Sequence, residues 1–161
     1  MASSSISNSW VYDVFMSFRG EDTRKHFTGH LYTALHRAGV RTFRDSEEVG
    51  KGEDISASLM GAIQGSRISL VVFSENYADS IWCLDELLHI MACRETLGQM
   101  VFPIFYHVEP SVVRRQTSTF AAAFQKHEAT GPDIGTERIS WWRTNLQKAA
   151  NLSGWHLKTD Q

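Results

Sequence analysis

Apolar positions along this chain fall into two kinds of run. Short continuous runs rich in β-branched and aromatic residues predict strands: WVYDVFMSF (10–18), VRTFR (40–44), RISLVVFS (67–74) and MVFPIFYHV (100–108). The third is apolar on both faces, as in a strand covered on both sides. Pro103 interrupts the fourth and predicts an edge position or a bulge there. Between these runs the spacing becomes helical. Phe27, Leu31, Leu35 and Ala38 mark a helix over 26–39, with Gly39 as its stop. Ile55, Leu59, Ala62 and Ile63 mark one over 55–66, and others follow from residue 80, over 111–128 (Val112, Phe120, Phe124) and over 137–154. WHL at 155–157 starts a last strand. Polar, glycine-bearing 19–24 and 45–54, and TGPDIGT at 130–136, predict loops and a turn.

Strand and helix alternate with no internal repeat. That pattern predicts an α/β domain with parallel strands between helices, a doubly wound sheet. Ligands in such folds sit outside the carboxyl ends of the strands. The loops there are 19–24, 45–54, 74–80 and 107–111, from which any active site is expected to be built.

The helix beginning at residue 80, SIWCLDELLHI, carries two adjacent carboxylates, Asp85 and Glu86. At about 100° per residue, Leu84, Leu87, Leu88 and Met91 form one core-facing stripe. Glu86 falls about 160° from Leu84, and Trp82 lies one turn before Glu86, about 40° away, so both are expected on the face away from the sheet. Asp85 lies on the flank. Two readings stand: Trp82 packs under a neighbouring loop with Glu86 in solvent, or the pair lines a cleft, an indole platform with a carboxylate beside it. Ser80 is expected to cap the helix, with ligand contact as a second role.

Composition and charge narrow the chemistry. The chain has 161 residues, 42% hydrophobic and 21% charged, enough for one domain with its own core. A net charge of −2 gives no electrostatic case for binding nucleic acid. No apolar run approaches the ~20 residues a membrane span needs. Cys83 and Cys93 fall on one helix about 15 Å apart, too far to bridge, which suits a reducing compartment. The Ser-rich opening lacks an apolar core and is not read as a secretory signal. No dinucleotide-binding glycine fingerprint, phosphate-loop motif or nucleophile elbow occurs. The seven histidines are scattered, and no metal-ligand pattern forms. Ser74 and Glu75 end the third strand where a phospho-acceptor fold needs an Asp.

Two loops carry candidate ligand groups. Arg19, Gly20 and Arg24 suit either an anion site, since Arg forks match phosphate, or a solvated turn with surface ion pairs. Lys51 stands between two glycines, as in a flap over a ligand or an ordinary solvated loop.

The blocks YDVFMSFRGEDTRKHFTGHLYTAL, GVRTFRD, SLVVFSENYADSIWCLDEL, VFPIFYHVEPSVVRRQ and WRTNLQKAANLSGW, in that order, resemble the TIR (Toll/interleukin-1 receptor) domain of plant immune proteins. The resemblance covers residues 10–157, leaving 1–9 as a flexible lead and 158–161 as a tail. It implies a flavodoxin-like fold of about five strands. It also implies cleavage of NAD+, and often NADP+, at the nicotinamide–ribose bond, without a cofactor. The products are nucleotide signals that lead to defence and cell death, in the cytoplasm and in some cases the nucleus. Glu86 matches the family's catalytic glutamate, and Ser80 and Trp82 match active-site positions. Arg19, Gly20 and Arg24 match the first-strand loop that contacts nucleotide. Phe43, Asp45 and Lys51 fall on or beside the second-strand loop, which is about one residue longer here than in several relatives. His30 matches a first-helix surface used for self-association, and the family's sites are usually completed by such association. Gly29 stands where the family often has Ser or Asp. The resemblance carries a second activity, synthesis of 2′,3′-cyclic nucleotides from nucleic acid, for which this chain's charge gives no support. A non-catalytic self-association or adaptor module is the alternative function.

Overall fold

The computed structural model describes residues 10–23, 26–44 and 57–158. Arg24, Asp45 and Lys51, and with them the expected 45–54 loop, lie outside the described residues. Five strands form one parallel sheet: β1 (Tyr12–Phe18), β2 (Thr42–Arg44), β3 (Ser66–Phe73), β4 (Met100–Tyr106) and β5 (Trp155–Leu157), in the order β2-β1-β3-β4-β5. This is the doubly wound, flavodoxin-like order, whose direction of winding switches between β1 and β3.

The helices are α1 (Gly20–Thr23), α2 (Phe27–Arg37), α3 (Ala57–Gln64), α4 (Ile81–Leu97), α5 (Pro110–Arg115), α6 (Ser118–Ala129), α7 (Gly131–Ile134) and α8 (Thr136–Ala150). A 3₁₀ turn, Tyr77–Asp79, precedes α4. Alternation along β1 sorts its side chains to two cores. Val14, Met16 and Phe18 pack with Phe27, Leu31 and Leu35 of α2 on one face. Phe15 shares the other face with Leu59 and Ile63 of α3, Leu84 and Leu87 of α4, Phe120 and Phe124 of α6, and Trp142 and Leu146 of α8. Ser17 follows Phe15 by two residues and so points to this second face, toward α4.

Three expectations change. The 111–128 segment is two helices, α5 and α6, because Gln116 and Ser118 take φ of +55° each and break the helical path. The Gln116 side chain is what the break serves. Its Nε2 donates to the Arg143 carbonyl at 2.9 Å and its Oε1 accepts from Arg143 Nη1 at 3.2 Å, fastening the end of α5 to α8. The 19–24 loop and the 130–136 turn each contain one helical turn, α1 and α7. Pro103 lies in an interior strand without a bulge, yet at a local edge: β4 lies between β3 and β5, and Pro103 pairs in register with Val71 on one side only. The three-residue β5 begins pairing only at Ile104, so Pro103 has no strand on that side.

Candidate active site at the carboxyl ends of β1 and β3

Ser80 starts the site. Its backbone is extended and its hydroxyl accepts from the Cys83 N–H at 3.1 Å, an N-cap that sets where α4 begins. The first turn of α4 lies against the end of β1, where Cys83 Sγ donates to the Phe18 carbonyl at 3.5 Å. That register brings Glu86 opposite Ser17. Ser17 Oγ donates to Glu86 Oε1 at 2.7 Å, and Trp82 Nε1 donates to Glu86 Oε2 at 3.1 Å. Ser17 is fully buried and Glu86 only 2% exposed.

This corrects the helical-wheel expectation for Glu86. It does not face away from the fold. The sheet, α3, α8 and the 3₁₀ turn enclose α4, so Cys83, Leu84, Asp85, Glu86 and Leu87 are consecutively buried. Trp82 does share a face with Glu86, and the indole N–H holds the carboxylate directly. Its ring is half-buried against the core.

Asp85 has a different task. Its carboxylate accepts from the Arg138 guanidinium, through Nη2 and through Nε at 3.3 Å, and from Trp142 Nε1 at 3.0 Å. Both partners belong to α8. Adjacent carboxylates thus divide the work: Asp85 fixes α4 to α8, while Glu86 faces the carboxyl end of β1.

Behind Glu86 runs a buried hydroxyl chain that sequence reasoning missed. Tyr77, fully buried, is 2.8 Å from Ser17 Oγ and donates to the Cys83 carbonyl at 3.1 Å. Burial raises the Tyr77 phenol well above its ordinary pKa, and the neighbouring Cys83 and Glu86 add to the shift. The one hint in the sequence was Ser17 itself, a hydroxyl near the end of an otherwise apolar strand.

Asp22 was also missed. Its carboxylate accepts from Ser74 Oγ at 2.5 Å and from the Asn76 N–H at 3.0 Å, tying the loop after β1 to the loop after β3. Gly20 opens the short α1 turn, and Arg19 beside it is largely buried, with Nη2 at 3.2 Å from Glu21 Oε1. Phe43 stacks on Phe15 at 5.5 Å and meets Tyr12 edge-on at 5.3 Å, a position on the same side of the sheet as α4. His30 is exposed on α2, across the sheet from Glu86. Both cysteines are buried and neither is in a disulfide. Among the described residues no cluster of three His, Cys, Asp or Glu could hold a metal ion, and no helix is long and apolar enough to cross a membrane.

A buried glutamate at the β1/β3 switch, on a helix capped by Ser80 and bonded to Ser17 and Trp82, joins the sequence blocks in one place. The family model for the TIR domain matches residues 11–161. The chain is a TIR domain. Its relatives include the disease resistance protein RPV1 of Vitis rotundifolia, 57% identical over 157 residues, and TMV resistance protein N of Nicotiana glutinosa, 53% identical over 154. These matches take in 98% and 96% of this chain but only 11% and 13% of those proteins, so the TIR domain corresponds to a small part of each. Among solved structures, the TIR domains of the activated Roq1 resistosome, which directly recognises the pathogen effector XopQ, superpose with a TM-score of 0.84 at 49% identity. That match covers 92% of this TIR domain and 89% of the solved chain.

Proposed function

We propose that this TIR domain is an NAD+ and NADP+ nucleosidase that cleaves the nicotinamide–ribose bond, works when self-associated, and makes nucleotide signals for plant defence and cell death. The observation that carries this reading is Glu86, a carboxylate sealed from water with one oxygen on Ser17 and the other on Trp82.

One carboxylate suffices for this chemistry. Most glycosidases need a second to protonate the leaving group. The nicotinamide of NAD+ is a cationic pyridinium and leaves as a neutral molecule without a proton. What remains is positive charge developing at ribose C1′, which a fixed anion in a dry site stabilises strongly. A carboxylate oxygen can accept more than one hydrogen bond, so ribose hydroxyls can also be held by Glu86. Water then adds at C1′ in place of nicotinamide, and its proton passes to bulk solvent, so hydrolysis releases one proton per nicotinamide. Arg19, at the end of β1, is the cation proposed to meet phosphate, with Arg24 and Lys51 as further cations and Asp45 as a substrate contact away from the phosphates.

Self-association is supported by the similarity to TIR domains solved within an activated assembly. That similarity also favours the second reading, a TIR domain that only associates with other TIR domains. Nicotinamide release by concentrated protein separates the two. Wild type is expected to turn over NAD+ and Glu86→Gln to lose turnover while keeping its circular dichroism spectrum. Equal turnover in both would remove Glu86 from the chemistry; an assembled wild type with no turnover would favour the scaffold.

A further inference from the structure

An open pocket of about 470 Å³ lies between the end of α5 and the middle of α8, lined by Arg114, Arg115, Gln116, Arg143, Thr144 and Gln147. It shares no residue with the Glu86 site. Three of the six side chains are guanidinium groups and none is acidic, on a chain whose net charge is −2. From these side chains we infer a second ligand site, one that binds a small multiply charged phosphate anion of diphosphate type.

The pocket has one fixed wall and two adjustable arms. Arg143 is the wall. Its Nη1 donates to Gln116 Oε1, its Nη2 donates to Glu128 Oε2 at 2.8 Å, and its guanidinium lies 4.3 Å above the Phe124 ring. Those three contacts hold the guanidinium in place before any ligand arrives, which lowers the ordering cost of binding. Gln116, at φ +55°, locks the end of α5 onto α8 and thereby sets the pocket's width. The arms are Arg114 and Arg115. Among the described residues neither pairs with a carboxylate, whereas Arg138 and Arg143 both do. Two adjacent arginines on the last turn also answer the helix dipole. That effect is small for a six-residue helix and does not account for a third arginine brought in from α8.

The ligand class follows from the lining. Guanidinium forks match the paired oxygens of phosphate better than a point charge does. About 470 Å³ exceeds what one phosphate fills and falls in the range of ordinary small-molecule sites. The lining offers no aromatic or large apolar face, so it has nothing on which a nucleobase could stack. Recognition therefore rests on the diphosphate, free or carried by a nucleotide, rather than on a base.

The test is titration of ¹⁵N-labelled protein at low ionic strength with inorganic pyrophosphate, ADP, orthophosphate and adenosine, followed by backbone and arginine side-chain NMR signals. Pyrophosphate and ADP are both expected to shift signals at 114–116 and 143–147, and adenosine to leave them unmoved. The Arg114→Gln/Arg115→Gln variant, changed at a helix end without loss of a described side-chain contact, is expected to bind pyrophosphate at least about tenfold more weakly. Arg19→Gln, at the end of β1, is expected to leave the pyrophosphate shifts at 114–116 and 143–147 as in wild type, which separates this pocket from the phosphate contacts proposed at the catalytic site. Shifts spread evenly over surface Lys and Arg, or an unchanged affinity in the double variant, would overturn the site. Orthophosphate binding as tightly as pyrophosphate would overturn the diphosphate assignment.

Discussion

At the residue scale, Glu86 depends on its donors. A carboxylate out of water keeps its charge only where hydrogen bonds replace solvent. Ser17 and Trp82 supply them here, and Tyr77 stands behind Ser17. A hydrogen bond to a charged group contributes about 1.5–3 kcal/mol. Ser17→Ala is therefore expected to lower nicotinamide release by roughly 10- to 150-fold while the far-ultraviolet spectrum stays unchanged. Wild-type turnover in Ser17→Ala would mean that the Ser17 hydrogen bond is not needed to position the carboxylate. Tyr77 gives a separate readout in stability. Its folded-state pKa lies above the ordinary value of 10.0, because burial disfavours the phenolate. Below pH 10 both folded and unfolded chains keep the proton, and the contribution to stability is constant. Above it the unfolded chain loses the proton first, so stability falls as pH rises. Denaturant unfolding of Tyr77→Phe between pH 9 and 11 is expected to show a shallower decline than wild type; parallel curves would contradict the assignment.

At the scale of elements, α4 decides where Glu86 stands, and α4 is itself held by Asp85. Asp85→Ala strands the buried Trp142 indole N–H and leaves Arg138 without its partner. The expected loss is about 2–4 kcal/mol of unfolding free energy, most of it from orphaned groups, since Arg138 is partly exposed and its charge is screened. Gly154 has a comparable hold on β5. A Cβ there would lie 2.0 Å from the Pro103 carbonyl oxygen, with backbone on both sides of the clash. Gly154→Ala is expected to cost about 3 kcal/mol and to expose the β5 amides to hydrogen exchange; full protection of Trp155–Leu157 would show that the chain can shift to make room. These elements also mark what the sequence could reveal. The strands were legible because β3 and β4 are mostly apolar and rich in β-branched and aromatic residues. The division between α5 and α6 was not, because Gln116 leaves the helical path to reach Arg143, a residue 27 positions away. Pro103 read as an edge residue and is one locally, because β5 is too short to pair beside it. A helical wheel separated Glu86 from Asp85 correctly but placed Glu86 on the face away from the sheet, because a wheel represents one helix and none of the elements packed around it.

At the scale of the whole molecule, the two faces of the sheet carry different expectations. The Glu86 site lies at the carboxyl ends of β1 and β3, on the α4 side. His30 projects from α2 on the opposite side, exposed to solvent. If association through α2 supports catalysis, the coupling must act between molecules, because the sheet separates His30 from Glu86 within one. The geometry then fixes the form of the kinetics. Turnover per chain is expected to rise with protein concentration, and His30→Ala is expected to shift that rise to several-fold higher concentration without lowering the plateau. A change in plateau at unchanged midpoint would instead mean that His30 acts on the site within its own chain. Turnover per chain that stays flat across a thousand-fold dilution, with sedimentation showing a monomer throughout, would make each TIR domain a self-sufficient enzyme and remove association from the mechanism.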